Sequence, residues 1–451
     1  MTTTLILNAK IVNEGSTTEQ DIFIRNGMIE RIEKNLQHLA ADNIIDAKNL
    51  HLLPGMIDDQ VHFREPGLMH KGDIASESRA AVAGGITSYM EMPNVNPPST
   101  NAIELDKKFA LAAKKSLANY SFYLGATNNN IEDIKRVDKN KICGVKVFMG
   151  ASTGNLLVDD HSALDAIFES CPILIATHCE EPHIIRRNED TYRKLYGESV
   201  PLHLHPIIRS EAACYASTAY AINLAKKHQS DLHVLHISTH KELALFSQGD
   251  IRHKKITAEA CAHFLWFSEE DYKAQGTLIK CNPAIKRVQD KAALISAINT
   301  DVIDIIATDH APHTLEEKQQ SYFKAPSGLP LVQHALLSLL HNVNEGVFTL
   351  EKIVEKTAHN PAIRYKVDKR GFIQEGFYAD IVLIDMNSST FVDKASLLYK
   401  CQWSPFVGET FTAKVISTFV NGVKVYDAED GGDQKIQHAP IASRALEFCR
   451  D

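Results

Sequence analysis

The chain has 451 residues, 44% of them apolar and 23% charged, enough for one large α/β domain with a satellite or for two or three ordinary domains. Its 48 Lys and Arg against 56 Asp and Glu leave a net charge of -8 with no basic tract, which speaks against a nucleic-acid partner. No apolar run approaches the ~20 residues of a membrane span, the start Met1-Thr2-Thr3-Thr4 lacks the pattern of a secretory leader, and eight scattered cysteines without a Cys-x-x-Cys pair read as reduced thiols, so a cytoplasmic protein is expected.

The first 50 residues read as short strands at Leu5–Leu7, Ala9–Val12, Asp21–Ile24 and Met28–Ile32, with the turn signal Arg25-Asn26-Gly27 joining the last two. From Pro54 onward, short apolar runs alternate with helical patterns such as 101–117 and 211–227. The runs are Met56–Asp58, Thr87–Met92, Ser121–Gly125, Gly144–Phe148, Ile173–Thr177, Asp231–Leu235, Lys255–Ala258 and Val302–Ala307. Eight strands alternating with helices predict an α/β fold, a closed (β/α)8 barrel of the TIM type over 54–365. An open doubly wound sheet is disfavoured, because no Gly-x-Gly-x-x-Gly follows the early strands. Strand-like sequence returns at Ala379–Asp385 and Val415–Tyr426, the latter with the turn Asn421-Gly422. Neither β-rich end holds a core of its own, so 1–53 and 366–430 together are expected to form a small β-sandwich domain, with 431–451 as a C-terminal tail.

On a barrel the C-terminal strand ends converge on one mouth. His62 follows the first run, Asn94 the second, His178 the fifth, His236 the sixth and Asp309 the eighth, while Lys146 lies within the fourth. One histidine after a strand is ordinarily a surface residue; several at equivalent positions are what a metal site requires. Lys146 is flanked by valines, where an unpaired ammonium is costly to bury; pairing with a carboxylate is the plain solution. Arg64 offers a planar fork of donors for an anion, or a salt bridge to Glu65 or Asp58. His233, on the strand of His236, reads as structural.

The run Asp58-Asp59-Gln60-Val61-His62-Phe63-Arg64-Glu65-Pro66-Gly67 resembles the cyclic amidohydrolase signature Asp-x-His-x-His-x-Arg-Glu-Pro-Gly, in the form found in dihydroorotases. Gln60 stands where that family has the first histidine of the pair. Gly144–Gly150, Thr308–His313 and Cys281-Asn282-Pro283-Ala284 resemble further motifs of the family, Ala284 departing from an Asn-Pro-Pro pattern. The resemblance implies zinc, one or two ions, on His62, Lys146, His178, His236 and Asp309, with Lys146 carboxylated and bridging if two ions bind. It implies Asp309 as the catalytic proton shuttle, Arg64, Asn94 and His313 on a substrate carboxylate, and Asn282 on the ring. The implied reaction interconverts N-carbamoyl-L-aspartate and L-dihydroorotate in pyrimidine biosynthesis, and a homodimer is implied with it. Hydantoinases lack both the arginine and the Met92-Pro93-Asn94 segment, and allantoinases generally do; a cyclic amidase of either kind is the alternative. A neutral amide at Gln60 is a poor zinc ligand. The first metal position is then weakened, or empty with one zinc on Lys146, His178 and His236, or the chain is a non-catalytic subunit. The other residues stand intact, so a working enzyme is expected. Asp58 or Asp59 substituting as a ligand is the lesser alternative.

Overall fold

The computed structural model describes residues 2–150, 156–428, 436 and 441–450. Five strands come first: β1 (Thr3–Asn13), β2 (Ser16–Arg25), β3 (Met28–Glu33), β4 (Asn43–Asp46) and β5 (His51–Pro54). The barrel strands follow as β6 (Met56–Val61), β7 (Ile86–Glu91), β8 (Asn119–Phe122), β9 (Leu124–Gly125), β10 (Val145–Phe148), β11 (Ile175–His178), β12 (Leu232–Val234), β13 (Ile256–Cys261) and β14 (Ile305–Ala307). Last come β15 (Ile381–Asp385), β16 (Thr390–Phe391), β17 (Thr410–Phe411), β18 (Lys414–Val420) and β19 (Val423–Asp427).

Both ends of the chain build one eight-stranded, sandwich-like sheet in the order β19-β18-β15-β5-β1-β2-β3, with β4 beside β1. Its seam is β5, parallel to β1 on one side and antiparallel to β15 on the other. Alternating side chains bury Ile6, Ile22 and Leu52 against Ile381, Leu383 and Phe419 from the far end of the sequence.

From β6 to β14 all pairings are parallel. β8 and β9 are one stave broken at Tyr123, so eight staves close the barrel. Closure runs from β6 to the turn after β14, where the His62 amide donates to the His310 carbonyl at 2.7 Å. Helices cover the outside, and the two longest patterns expected from the sequence are capped by their own side chains: Asn101 accepts from the Glu104 amide before Ala102–Lys115, and Ser210 from the Ala213 amide before Glu211–His228. The first of these turns Leu105, Phe109 and Ala112 inward. All eight cysteines are unpaired thiols. Among the described residues no helix is long and apolar enough to cross a membrane.

Residues 441–450 of the expected tail run along the barrel floor. Ala445 bridges Tyr120 at the start of β8, and Arg450 donates to the carbonyls of Ile142, Cys143 and Tyr365. Of the rest of that tail, 431–435, 437–440 and 451 lie outside the described residues.

A buried polar knot welds sheet to barrel. Asp380 pairs with Arg370, accepts from Asn119 Nδ2 at 3.0 Å and takes the Asn421 amide at 2.7 Å. Removing one member of a buried ion pair strands the other charge. Asp380→Ala is therefore expected to lower unfolding free energy by about 3 kcal/mol or more, read as an earlier midpoint in chemical denaturation.

Candidate active site

At the C-terminal ends of the staves lies a cavity of about 160 Å³. Its wall holds His62, Arg64, Asn94, Lys146, His178, His236, Asn282 and Asp309, together with Gln60. Eight of the nine residues singled out from the sequence thus meet at one place. The ninth, His313, stands behind Arg64, with its Nε2 3.0 Å from Arg64 Nη2. A groove of about 940 Å³ along the terminal sheet is larger but contains none of these groups; chemistry, not volume, selects the mouth. Three of the wall residues carry left-handed backbone, Arg64 (φ 72°), His236 (φ 42°) and Asp309 (φ 50°). Non-glycine residues keep that conformation only where the surroundings impose it, and such positions cluster at functional sites.

Two histidines face each other across the mouth. His178 Nε2 lies 2.9 Å from Glu180 Oε2, so the ring proton sits there and bare Nδ1 faces His236 Nε2 at 3.0 Å. Glu180 is held in turn by Arg209, Nε at 3.0 Å and Nη2 at 2.5 Å. Burial would raise the Glu180 carboxyl, but Arg209 and His178 outweigh it and keep it well below the carboxylate range. Burial likewise pushes both histidines toward the neutral form that ligates a metal. Two imidazole nitrogens on one ion at ~2.1 Å stand about 3 to 3.5 Å apart, so this pair fits a shared cation.

The opposite side is arranged around Asp309. His62 Nδ1 lies 2.7 Å from Asn94 Oδ1, which leaves Nε2 facing Asp309 Oδ1 at 3.2 Å. Gln60 Nε2 donates to that same Oδ1 at 3.0 Å, while Gln60 Oε1 is buried without a partner. Burial would raise the Asp309 carboxyl; His62, His236 and His263 override it and hold it at about 2. Lys146 is buried between the two sides. Among the described residues it forms no ion pair, and its ammonium lies over the Phe148 ring, 4.8 Å from the centroid. Burial brings its ammonium down to about 8, against the pull of Asp309 and Glu259.

Several sequence expectations change here. Arg64 does not pair with Glu65 or Asp58: Glu65 pairs with Lys115, and Asp58 accepts from Thr308. Nor does either aspartate of the signature reach the mouth as a substitute ligand, since Asp59 turns into the barrel interior, 3.2 Å from His233 Nε2. The ion pair Glu180–Arg209 and the role of Glu259, which accepts from the His236 amide at 2.9 Å, were missed. Glu180 sits two residues past His178, a visible hint; Arg209 gives no such signal.

Residues 51–425 match the amidohydrolase family, and the chain belongs to it. Among curated proteins, the dihydroorotase of Methanothermobacter thermautotrophicus is 31% identical over 405 residues, covering 89% of this chain and 90% of the relative. The allantoinase of Bacillus velezensis is 29% identical over 434 residues, covering 95% and 94%. The solved structure of an L-hydantoinase from Arthrobacter aurescens superposes with a TM-score of 0.90 at 25% identity, covering 95% and 96%. The protein is thus a hydrolase of the amidohydrolase superfamily with a (β/α)8 barrel, and its nearest chemistry is that of cyclic amides.

Because Glu180 sets the tautomer of His178, Glu180→Gln is expected to weaken metal binding about 10- to 100-fold, measured by zinc competition against a chromogenic chelator.

Proposed function

We propose that this amidohydrolase is a zinc-dependent dihydroorotase, interconverting N-carbamoyl-L-aspartate and L-dihydroorotate in pyrimidine biosynthesis. One observation carries the reading. Arg64 lies on the cavity wall, buried, donating Nε to the Pro312 carbonyl at 3.0 Å, and pairs with no carboxylate among the described residues. Burial pulls its guanidinium down to about 10. A buried cation without a counter-charge is satisfied when a substrate carboxylate arrives. Dihydroorotate and carbamoyl-aspartate bring one; neutral hydantoin and allantoin rings do not.

His178, His236 and Lys146, the last as its carbamate, would hold the zinc. When bound, the ion polarises the scissile carbonyl and acidifies water. The remaining steps belong to side chains. Asp309, a carboxylate at neutral pH, takes the proton of the attacking water and delivers it to the departing ring nitrogen. Gln60 and His62 both occupy Oδ1, which leaves Oδ2 for that proton. Arg64 and Asn94 hold the substrate carboxylate, and Asn282 meets the ring. The resemblance puts His313 on the substrate carboxylate as well; in this reading it also aims Arg64, its Nε2 lying 3.0 Å from Arg64 Nη2. Since Gln60 already engages Asp309, we favour one ion on the Lys146–His178–His236 side. The drift of Lys146 toward its neutral amine supports carbamate formation there.

Arg64→Met is expected to lower kcat/KM for dihydroorotate about a hundredfold or more while the fold, by circular dichroism, is kept. Undiminished turnover of dihydroorotate by that variant, or a wild type that prefers neutral cyclic ureides, would count against the assignment. Asp309→Asn is expected to cut kcat about 10²- to 10⁴-fold. Chelation should abolish turnover and zinc restore it; a wild type that stays inactive with zinc supplied would instead be a non-catalytic subunit.

A further inference from the structure

Beneath the mouth, inside the barrel, Asp59 of β6, His233 of β12 and Glu259 of β13 point at one another, all fully buried. His233 Nε2 lies 3.2 Å from Asp59 Oδ2 and 3.6 Å from Glu259 Oε2, and one donor atom from each residue falls within 4.8 Å of the other two. None of these approaches is aligned as a hydrogen bond: both Asp59 oxygens, Glu259 Oε2 and His233 Nε2 are all left without a partner. Buried polar side-chain atoms almost always find a partner. Four such atoms on three converging side chains need an explanation.

The surroundings fix which atoms face inward. His233 Nδ1 lies 2.8 Å from Thr257 Oγ1, whose hydroxyl donates to the Leu232 carbonyl at 3.3 Å. The threonine oxygen is therefore the acceptor, Nδ1 carries the ring proton, and Nε2 aims a lone pair at two carboxylates. Glu259 Oε1 is already engaged by the His236 amide, so Oε2 is the atom left to face His233. No lysine or arginine pairs with Asp59 or Glu259 among the described residues, and the nearby Tyr123 hydroxyl donates to the Asp59 carbonyl instead of its carboxylate.

A second proton on His233 is one remedy, and the two carboxylates favour it, lifting the imidazole to about 9 despite burial. It leaves the cluster with one net negative charge and the N–H still misaligned. A divalent cation balances two carboxylates and a neutral imidazole completely. Donors ~2.1 Å from a tetrahedral ion stand about 3.4 Å apart, close to the two separations here. We propose that Asp59, His233 and Glu259 form a binding site for one divalent cation of the zinc class, distinct from the mouth. Bound there, the ion ties β6, β12 and β13 together and, through Glu259, steadies the left-handed turn at His236.

Anomalous diffraction from crystals of the whole protein grown with zinc, recorded on both sides of the zinc edge, locates each ion separately. The expected result is a peak about 2.0–2.2 Å from the three donor atoms, apart from any peak at the mouth. Asp59→Asn, the same shape without the charge, should hold one zinc fewer per chain by elemental analysis and lose only the interior peak. His233→Gln serves the same purpose if the first variant does not fold. A wild-type map with zinc at the mouth but none in the interior, or a folded variant with undiminished zinc content, overturns the proposal. Loss of the mouth peak alone bears on the hydrolase reading and leaves this one standing.

Discussion

The barrel closes on one buried carboxylate. Asp58 accepts from the Thr308 amide at 3.1 Å and from its hydroxyl at 2.6 Å, joining residues 250 positions apart. Burial pushes this carboxyl well up, opposed by the Thr308 hydroxyl, so the contact depends on the match between the two groups. That match sets the register between β6 and the turn after β14. Only in this register do Gln60 and His62 meet Asp309, and only then do Arg64 and Pro312 touch. A slip of one residue would move the whole amide–imidazole pair away from the carboxylate it serves.

Much of this was legible because barrel geometry does the assembling. Each apolar run matched a stave, and a polar residue just past a run is carried to the mouth whatever lies between runs. What stayed hidden depends on which way a side chain faces inside the cylinder. β6 pairs with β7 in an irregular register around Asp59, which faces His233 inside the barrel, and no periodicity forecasts such a shift. Arg209 follows a short helix well away from any stave end, yet it anchors Glu180. Residues near 400 also come back to the barrel, where Trp403 Nε1 donates to the His313 carbonyl at 2.7 Å; their sequence carries no repeating pattern that would announce it.

Identity does not separate the possible substrates, since the dihydroorotase and allantoinase relatives stand at 31% and 29%. Family membership makes the protein a hydrolase of the amidohydrolase superfamily. In our reading the charge of the substrate is set by Arg64, and the position of the proton by the three-way contact among Gln60, His62 and Asp309. The amide at position 60 is then no simple loss. It trades a metal donor for an N–H that pins one oxygen of the shuttle while the other keeps its freedom.

The seam strand β5 has a consequence for biosynthesis. Its two edges are filled by β1 and by β15, whose residues emerge from the ribosome more than 300 positions apart. Until Ile381–Asp385 are made, the Leu52-Leu53 segment presents an open, apolar edge throughout translation of the barrel. Nascent chains stalled inside the barrel should therefore be the ones that draw chaperones or clump, whereas chains released after β19 can seal themselves.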